Sequence, residues 1–317
     1  MKEADKNYKE GMKYLKTSVL KFRLKPDYTS AIPYLKLAAD GYHGCKNFEK
    51  EIEARKQLVI CFQNEKSGWE EGNEYEKMSK VQLNQLKSPL DAYNSIEKSF
   101  HAYIKDNKYD DAIKALQKSS NNFIENDNKK DAENVLAFAF DGIDKYYHVI
   151  TLDKSDSYEY VYDCIDKYID LLFSENEYKT AAQVAKKSVK IIEKDNEEEK
   201  EMISKYYTFE AIAELLDKQE EKYNQSIENG MKVEEGQNGI CNKVNKLIYL
   251  IKENKDNEKT IKSLYKDISR KLPHSVSKML NKYIEDNKTN SNNNNDNNNE
   301  KNKDKSTEFE ENIEDYL

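Results

Sequence analysis

The sequence has little glycine and proline, with 9 and 4 of 317 residues respectively. Because these two residues supply many of the tight turns of β-hairpins and β-sandwiches, their scarcity argues against an all-β fold. Lysine, glutamate, aspartate, alanine and leucine are abundant instead. This composition favours helices joined by short polar turns.

The sequence also lacks the patterns that are typical of membrane spans, export signals and metal sites. No apolar run approaches the ~20 residues of a transmembrane helix, and no signal peptide precedes the charged first residues. The histidines show no zinc spacing, and the cysteines form no CxxC pair; they are Cys45, Cys61, Cys164 and Cys241. We therefore expect buried, reduced cysteines, no metal or other cofactor, and a protein that is cytoplasmic and at most peripheral on the cytosolic face of membranes.

Signatures of catalysis are absent as well. The sequence contains no glycine-rich phosphate loop, no GxSxG and no HExxH. Its net charge is −8, from 52 Lys+Arg and 60 Asp+Glu, which argues against nucleic acid as the main partner. We therefore expect a role in binding other proteins rather than an enzyme.

What the sequence does contain is a recurring phrase, an aromatic residue three positions before an alanine. It occurs at residues 28–31, 109–112 and 178–181, and small residues of this kind let two helices approach closely. Ala92, Ala112 and Ala132 follow one another at intervals of 20 residues. A helix of about 15 residues and a short turn have that combined length. The pattern predicts an all-α fold, a tetratricopeptide-like α-solenoid of antiparallel helix pairs with a C-terminal helical bundle.

The periodicity also predicts where each helix begins and ends. Helices are expected at residues 3–16, 27–44, 47–63, 68–86, 89–105, 109–125, 129–147, 156–174, 178–194, 197–222, 237–253, 257–271 and 274–285. Pro33 predicts a kink or a later start of the second helix. We expect a solenoid over 1–223, a bundle over 224–285, a disordered asparagine-rich linker over 286–307 and an acidic-hydrophobic motif over 308–317.

Residues 17–25 alternate apolar and basic side chains within an otherwise helical pattern. One interpretation is an exposed loop that touches a membrane, with Val19, Leu20, Phe22 and Leu24 inserting beside Lys21 and Arg23. The alternative is that Leu15, Val19 and Phe22 extend the first helix and pack inward.

Lysine recurs at one position of the 20-residue interval. Lys98, Lys118 and Lys187 each lie six residues after an alanine, and Lys167 precedes Tyr168 on another predicted helix. A shared face would form a basic stripe for an acidic, elongated partner, which exposed charges steer and orient. The alternative is ordinary lysine on a solvated helix face.

The last ten residues surround apolar side chains with carboxylates and contain no base. The acidic positions are Glu308, Glu310, Glu311, Glu314 and Asp315. Phe309, Ile313 and Leu317 are spaced to share one face of an induced helix, which is typical of a short motif for a basic pocket. A solubilising tail is the alternative.

Residues 14–28 follow the pattern YLKT-x-x-LK and then KPDY, and residues 46–54, 75–78 and 90–99 carry three further helix patterns. In all of these segments the chain resembles the γ-type soluble NSF attachment proteins. The similarity extends over residues 5–220, with Pro33 and the asparagine tract as departures.

The resemblance implies an adaptor of vesicle trafficking that hydrolyses nothing itself. Such a protein binds the SNARE complex, a syntaxin-type four-helix bundle, with several copies per complex. It recruits the hexameric NSF ATPase, which disassembles the bundle during membrane fusion cycles, for example between ER and Golgi.

By position, the resemblance assigns residues 17–25 to membrane contact. It assigns Lys118 and Lys167, with Lys98 and Lys187 in the same row, to the SNARE complex, and the acidic C-terminal motif with Leu317 to NSF. A generic scaffold or co-chaperone that binds acidic peptide termini is the second hypothesis.

Overall fold

The structure is a computed structural model that describes residues 1–17, 24–152, 158–195, 199–234, 239–253 and 258–287. Within these ranges every regular element is an α-helix. The helices are α1 Lys2–Leu15, α2 Tyr28–Gly44, α3 Phe48–Glu65, α4 Gly68–Asn84, α5 Pro89–Lys105, α6 Tyr109–Glu125, α7 Lys129–Leu152, α8 Tyr158–Ser174, α9 Tyr178–Asp195, α10 Lys200–Leu216, α11 Glu220–Val233, α12 Ile240–Lys252, α13 Glu258–Ser269 and α14 over 274–287.

Consecutive helices pack as antiparallel pairs, and α4 and α5 show this most clearly. The Ser79 hydroxyl, late in α4, donates to the Ala92 carbonyl oxygen at the start of α5 over 2.8 Å. The Ser99 hydroxyl, late in α5, donates to the Gly72 carbonyl oxygen early in α4, also over 2.8 Å. The predicted class, a tetratricopeptide-like stack of antiparallel helix pairs, is confirmed.

Helices two apart in sequence also touch, so that even and odd helices of the first unit form two layers. The Asn126 amide of α6 donates to Asn84 of α4 at 2.9 Å, and the Tyr160 hydroxyl of α8 donates to Asp110 of α6 at 2.7 Å. Among the odd helices, the Tyr8 hydroxyl of α1 donates to a carboxylate of α3 at 2.7 Å. Even helices of the first unit are therefore neighbours, α4 beside α6 and α6 beside α8.

Most short turns end the preceding helix with a residue in the left-handed conformation. The residues with positive φ are Lys46, Lys66, Lys87, Asn107, Asp127, Asn176 and Lys218. At α5, the amide of Lys108 donates to the Tyr103 carbonyl oxygen at 2.9 Å, which closes the last helical turn. The first five of these residues are spaced by 20 or 21 positions, so one helix and its turn form the unit of length that the sequence predicts.

A buried cluster of charges fastens α2, α3 and α4 together. The Arg55 guanidinium lies 2.8 Å from Glu51 one turn earlier on α3, 2.8 Å from Glu74 of α4 and 3.7 Å from Asp40 of α2. His43 Nδ1 lies 2.8 Å from the other oxygen of Glu51. Although burial opposes the charge, Glu74 and Glu51 hold the pKa of Arg55 above its ordinary value.

Aromatic rings fill much of the interior. Phe123, Phe173, Phe209, Tyr147 and Tyr206 are each less than 2% exposed. The mean hydropathy of −1.02 shows that the chain has few aliphatic residues for a core. Because aromatic side chains are large, burying them supplies the missing apolar area. Many of the described tyrosines and phenylalanines therefore belong to the core.

The chain divides into two compact units, Met1–Tyr168 and a second that begins at Ile169, so the division falls within α8. The domain boundary expected after residue 223 lies inside α11. The single helix expected over 197–222 is wrong, because Lys218 adopts φ 60° and separates α10 from α11. The linker expected over 286–307 lies outside the described residues from 288 onward.

Two smaller expectations are also corrected. The second helix does not start later, since it begins at Tyr28, where the Asp27 carboxylate caps it by accepting the amide of Ser30 at 3.0 Å, and it continues through Pro33 to Gly44. The kink at Pro33 stays a prediction. Cys45 is exposed rather than buried, since it follows the end of α2 in a turn. The other three cysteines are buried as expected, and burial raises the pKa of Cys61 to about 11.

Candidate protein-binding site

A basic groove lies between α4 and α6 and is lined in part by Lys118, one of the predicted site residues. It encloses a cavity of about 250 Å³. The residues that line it are Asn73, Glu76, Lys77, Ser79, Lys80, Ile96, Ala115, Lys118, Ser119 and Asn122. Three lysines against one glutamate give this groove a positive charge on a chain whose net charge is negative.

The lysines of the groove differ in how tightly they are paired within the protein: Lys77 Nζ lies 2.7 Å from the buried Glu74 carboxylate, whereas Lys118 is held weakly. Lys118 Nζ lies 3.9 Å from Glu76, and the Lys118 side chain is 70% exposed. Glu76 also accepts a hydrogen bond from the Tyr103 hydroxyl, and burial together with this bond raises the pKa of Tyr103. An exposed ion pair contributes about 1 kcal/mol or less. Lys118 can therefore turn to an acidic partner at little cost.

Lys98, predicted to share the face of Lys118, belongs to the other layer. It lies on α5, and its ammonium sits 6.0 Å from the centre of the Tyr75 ring. Tyr75 packs against the cluster that joins α3 and α4. Lys98 and Lys118 thus contact neighbouring residues of α4 from helices of different layers.

The two remaining lysines of the predicted row have different surroundings. Lys167 lies 3.0 Å from Asp163, one turn earlier on α8, and Asp163 also accepts a hydrogen bond from Gln117 of α6. Lys187 lies on α9, in the second unit, and is half-buried. The structure therefore places Lys118 and Lys167 on the layer of even helices in the first unit.

The true repeat is a helix pair, and it reveals a lysine row that the 20-residue interval misses. Lys36, Lys77 and Lys118 are each 41 residues apart and lie on α2, α4 and α6. The turn residues Lys66 and Asn107 are separated by the same 41 positions. Doubling the interval in the sequence predicts this row, because only alternate helices share a layer.

The structure describes the two ends of the predicted membrane segment, residue 17 and residues 24–25, but not the residues between them. The Asp27 amide donates to the Tyr14 carbonyl oxygen at 3.0 Å, which brings the end of α1 next to the start of α2. Leu24 is described and is 78% exposed. The residues outside the described ranges are Val19, Leu20, Lys21, Phe22 and Arg23.

The alternative for this segment, in which Val19 and Phe22 pack inward, falls on residues outside the described ranges and stays a prediction, although α1 itself does not extend into the segment. The helix ends at Leu15 because Lys16 adopts an extended backbone, with φ −89° and ψ 135°. The assignment of the segment to membrane contact stays a prediction.

The predicted C-terminal motif also lies outside the described residues. Its members are Glu308, Glu310, Glu311, Glu314, Asp315 and Leu317. Its assignment to the ATPase stays a prediction.

A larger cavity, of about 690 Å³, lies in the second unit and contains none of the predicted site residues. Lys200, Lys205 and Lys271 contribute to its lining, together with Glu234. The Glu234 carboxylate accepts the backbone amide of Cys241 at 2.7 Å at the start of α12. This carboxylate caps a helix, so its evident role is structural.

Metal centres and membrane spans are two further kinds of functional feature. Within the described ranges, His, Cys, Asp and Glu side chains nowhere gather in a group of three or more that could hold a metal ion. No helix among the same residues combines the length and apolar character that a bilayer span requires.

No family model and no curated protein matches the sequence. Similar solved structures include BtubC from P. vanneervenii, at 10% identity and a TM-score of 0.34, covering 73% of this chain and 87% of that chain. A putative kinesin light chain with TPR-like repeats from Podosopora anserina has 11% identity and a TM-score of 0.32, covering 64% of this chain and 95% of that chain. The apo form of RapI has 14% identity and a TM-score of 0.32, covering 85% and 98%. Likenesses at these TM-scores carry no argument about function, and the fold follows from the helix pairs themselves.

Proposed function

We propose that this chain is an adaptor that binds assembled SNARE complexes and recruits the NSF ATPase to them. Its tetratricopeptide-like helix pairs make it a helical-repeat scaffold, a class that works by presenting side chains at fixed intervals. The finer assignment is supported by the resemblance of residues 5–220 to the γ-type attachment proteins.

The observation that carries the proposal is the lysine row on the even helices. Lys36, Lys77 and Lys118 recur at one position of successive helix pairs, and the last two line the groove between α4 and α6. A row with this repeat matches an elongated acidic partner better than a compact one, because each helix pair adds one equivalent contact. Many weak charge contacts then sum to an oriented grip.

Two further contacts complete the proposed adaptor. Residues 17–25 would hold it on the membrane that carries the SNARE complex, and Leu24, at 78% exposure, is available for such a contact. The acidic motif at 308–317 would bind a basic surface of NSF. Both contacts are weak by themselves and act through avidity.

A reconstitution tests the proposal. SNARE complexes on liposomes are mixed with NSF and ATP, with and without this protein, and dissociation of the complex is followed over time. We expect dissociation to depend on the added protein. Equal dissociation without it would contradict the adaptor role.

The second candidate function is a clamp for acidic peptide termini. It is favoured by the convergence of Lys77, Lys80 and Lys118 with Asn73 and Asn122 around one small cavity, because lysine and asparagine together suit a terminal carboxylate. Tight binding of a free-acid peptide, lost when its terminus is amidated, would favour this candidate over the SNARE adaptor.

A further inference from the structure

The tryptophan at position 69 is the only one in the chain, and the spacing of residues on α4 places it beyond one end of the basic groove. Trp69 is 41% exposed and is the second residue of α4. Asn73, Glu76 and Lys80 follow it at four, seven and eleven positions, the spacing of one helix face. Because these three residues line the groove, the Trp69 ring extends the same surface by one turn.

The backbone of Trp69 is held in place before any partner arrives. Its amide donates to the Asp106 carboxylate after the end of α5 at 2.9 Å. A Cβ added to the preceding Gly68 would lie 2.6 Å from the Ala102 carbonyl oxygen, so the two helices meet here with no spare room. A large exposed ring on a fixed backbone loses little conformational freedom on binding.

We propose that Trp69 is the apolar anchor of a docking groove for an acidic helical segment of the partner, whose large apolar side chain covers the ring while its carboxylates meet Lys77, Lys80 and Lys118. The distance along α4 from Trp69 to Lys80 is about 16 Å, from eleven residues at about 1.5 Å each. A complementary helix therefore carries its apolar side chain about three turns from its carboxylates. This assignment deepens the proposed function and depends on it, because it names the contact that gives the groove its specificity.

Charge and residue type support this occupant. The lysines attract carboxylates. The tryptophan adds a fixed apolar surface, from which a bound apolar side chain excludes water. Tryptophan is among the residues most enriched at the energetic centres of protein interfaces. The groove thus selects an acidic helix with one apolar side chain in register over a merely acidic one.

The single tryptophan makes the test direct. A soluble four-helix SNARE complex without tryptophan is titrated into the protein, and tryptophan emission is recorded together with an independent binding signal, such as calorimetry. We expect the emission maximum to move to shorter wavelength in step with binding, because the ring loses contact with water. Binding with unchanged emission would overturn the anchor role while leaving the proposed function in place. If no binding occurs at all, the proposed function itself fails.

A matched pair of variants completes the experiment. Trp69→Ala should weaken binding about tenfold or more. Leu90→Ala is the control, since Leu90 is also the second residue of its helix and is 71% exposed, but lies on α5. Its effect should stay within about twofold, and equal losses in both variants would contradict the proposal. Thermal melting checks that both variants remain folded.

A deletion variant tests whether the chain's own acidic C-terminal segment occupies the groove instead of the partner. If the emission of the free protein moves to longer wavelength when residues 308–317 are removed, the groove already holds the chain's own acidic segment, and the proposed partner contact is overturned. Unchanged emission of the free protein supports the partner as occupant.

Discussion

At the scale of single residues, Arg55 decides how three helices of the first unit meet. Its guanidinium is 8% exposed and contacts Glu51 and Glu74, which are 0% and 3% exposed. Such a cluster adds little net stability compared with apolar packing, but breaking it leaves buried charges without a partner. Because Glu74 lies on α4, the cluster also fixes the helix that carries the groove.

Replacing Arg55 with alanine should lower the free energy of unfolding by about 3–5 kcal/mol, because two buried carboxylates lose their shared cation. Urea denaturation followed by circular dichroism measures the change. Lys56→Ala, at the exposed neighbouring position of α3, serves as control and should change stability by less than about 0.5 kcal/mol. A loss below about 1 kcal/mol in Arg55→Ala would show that the cluster is relaxed by water.

Glu214 predicts a pH dependence in the second unit. It is 6% exposed, and burial, with a contribution from Glu210, raises the pKa of its carboxyl above the ordinary value. A raised value in the folded state favours folding while the group is protonated, and this contribution is lost as the pH rises through the raised pKa. The charged form of Glu214 therefore lowers the free energy of unfolding at neutral pH.

Accordingly, Glu214→Gln should be more stable than the native protein at pH 7, since glutamine still accepts the hydrogen bond that Ser226 donates at 2.8 Å. The difference should shrink as the pH falls towards the ordinary glutamate pKa of about 4.5. Urea denaturation across this range measures it, with the exposed Glu221→Gln as control. A gain that is the same at every pH would refute the assignment to the carboxyl charge.

At the scale of elements, the turns set the repeat. Within the part of the chain that the structure describes, seven non-glycine residues adopt the left-handed conformation, and four of these are lysines. That conformation costs an L-residue about 1–2 kcal/mol, whereas glycine adopts it freely. The chain therefore carries strain at its turns that a substitution can relieve.

Lys66→Gly should raise the free energy of unfolding by about 0.5–1 kcal/mol, because Lys66 has φ 57° and ψ 36° in the cap of α3. Lys56→Gly, the same substitution inside the same helix, should lower it by about 1 kcal/mol. Opposite signs in chemical denaturation would confirm that the backbone conformation is responsible. Destabilisation by both variants would contradict the account.

The elements also show why the sequence predicts the helices better than the site. Pro89, Tyr109 and Tyr178 begin α5, α6 and α9 as the pattern indicates. The turn at Lys218 was missed, because a lysine in the left-handed conformation has no local signature. Trp69 was missed for a different reason, since its exposure depends on which helices cover it and not on its spacing.

The predicted lysine row depends on the assumption that residues 20 positions apart lie on one face of the solenoid. An interval of 20 residues marks one helix, so Lys98 and Lys118 fall on different layers. Side chains meet across a groove only when their helices are neighbours in the same layer, and this information enters with tertiary packing. Lys36 and Lys77 become visible once the interval is doubled.

At the scale of the whole molecule, the proposed adaptor combines several weak contacts. The net charge of −8 keeps it from binding acidic surfaces indiscriminately, while the groove of α4 and α6 supplies local positive charge. In the proposed adaptor, membrane contact through residues 17–25 would add a second weak attachment. Specificity then comes from engaging both at once.

Changing Leu20 and Phe22 together to serine should weaken liposome binding about tenfold or more, because each inserted apolar side chain contributes about 1.5–3 kcal/mol before costs. Liposome co-sedimentation measures the loss. Binding to a soluble SNARE complex should stay the same, and Leu90→Ser provides an exposed apolar control on α5. Undiminished liposome binding would remove the membrane assignment without affecting the groove.

The central claim is that lysines on the even helices bind an acidic four-helix partner, and an equilibrium titration with a soluble SNARE complex tests it most directly. We expect Lys80→Glu with Lys118→Glu, two exposed lysines that line the groove, to weaken binding about tenfold or more. The control, Lys56→Glu with Lys105→Glu, makes the same charge change at exposed positions of α3 and α5 and should have little effect. Equal affinity in the two double variants, or no affinity in the native protein, would contradict it.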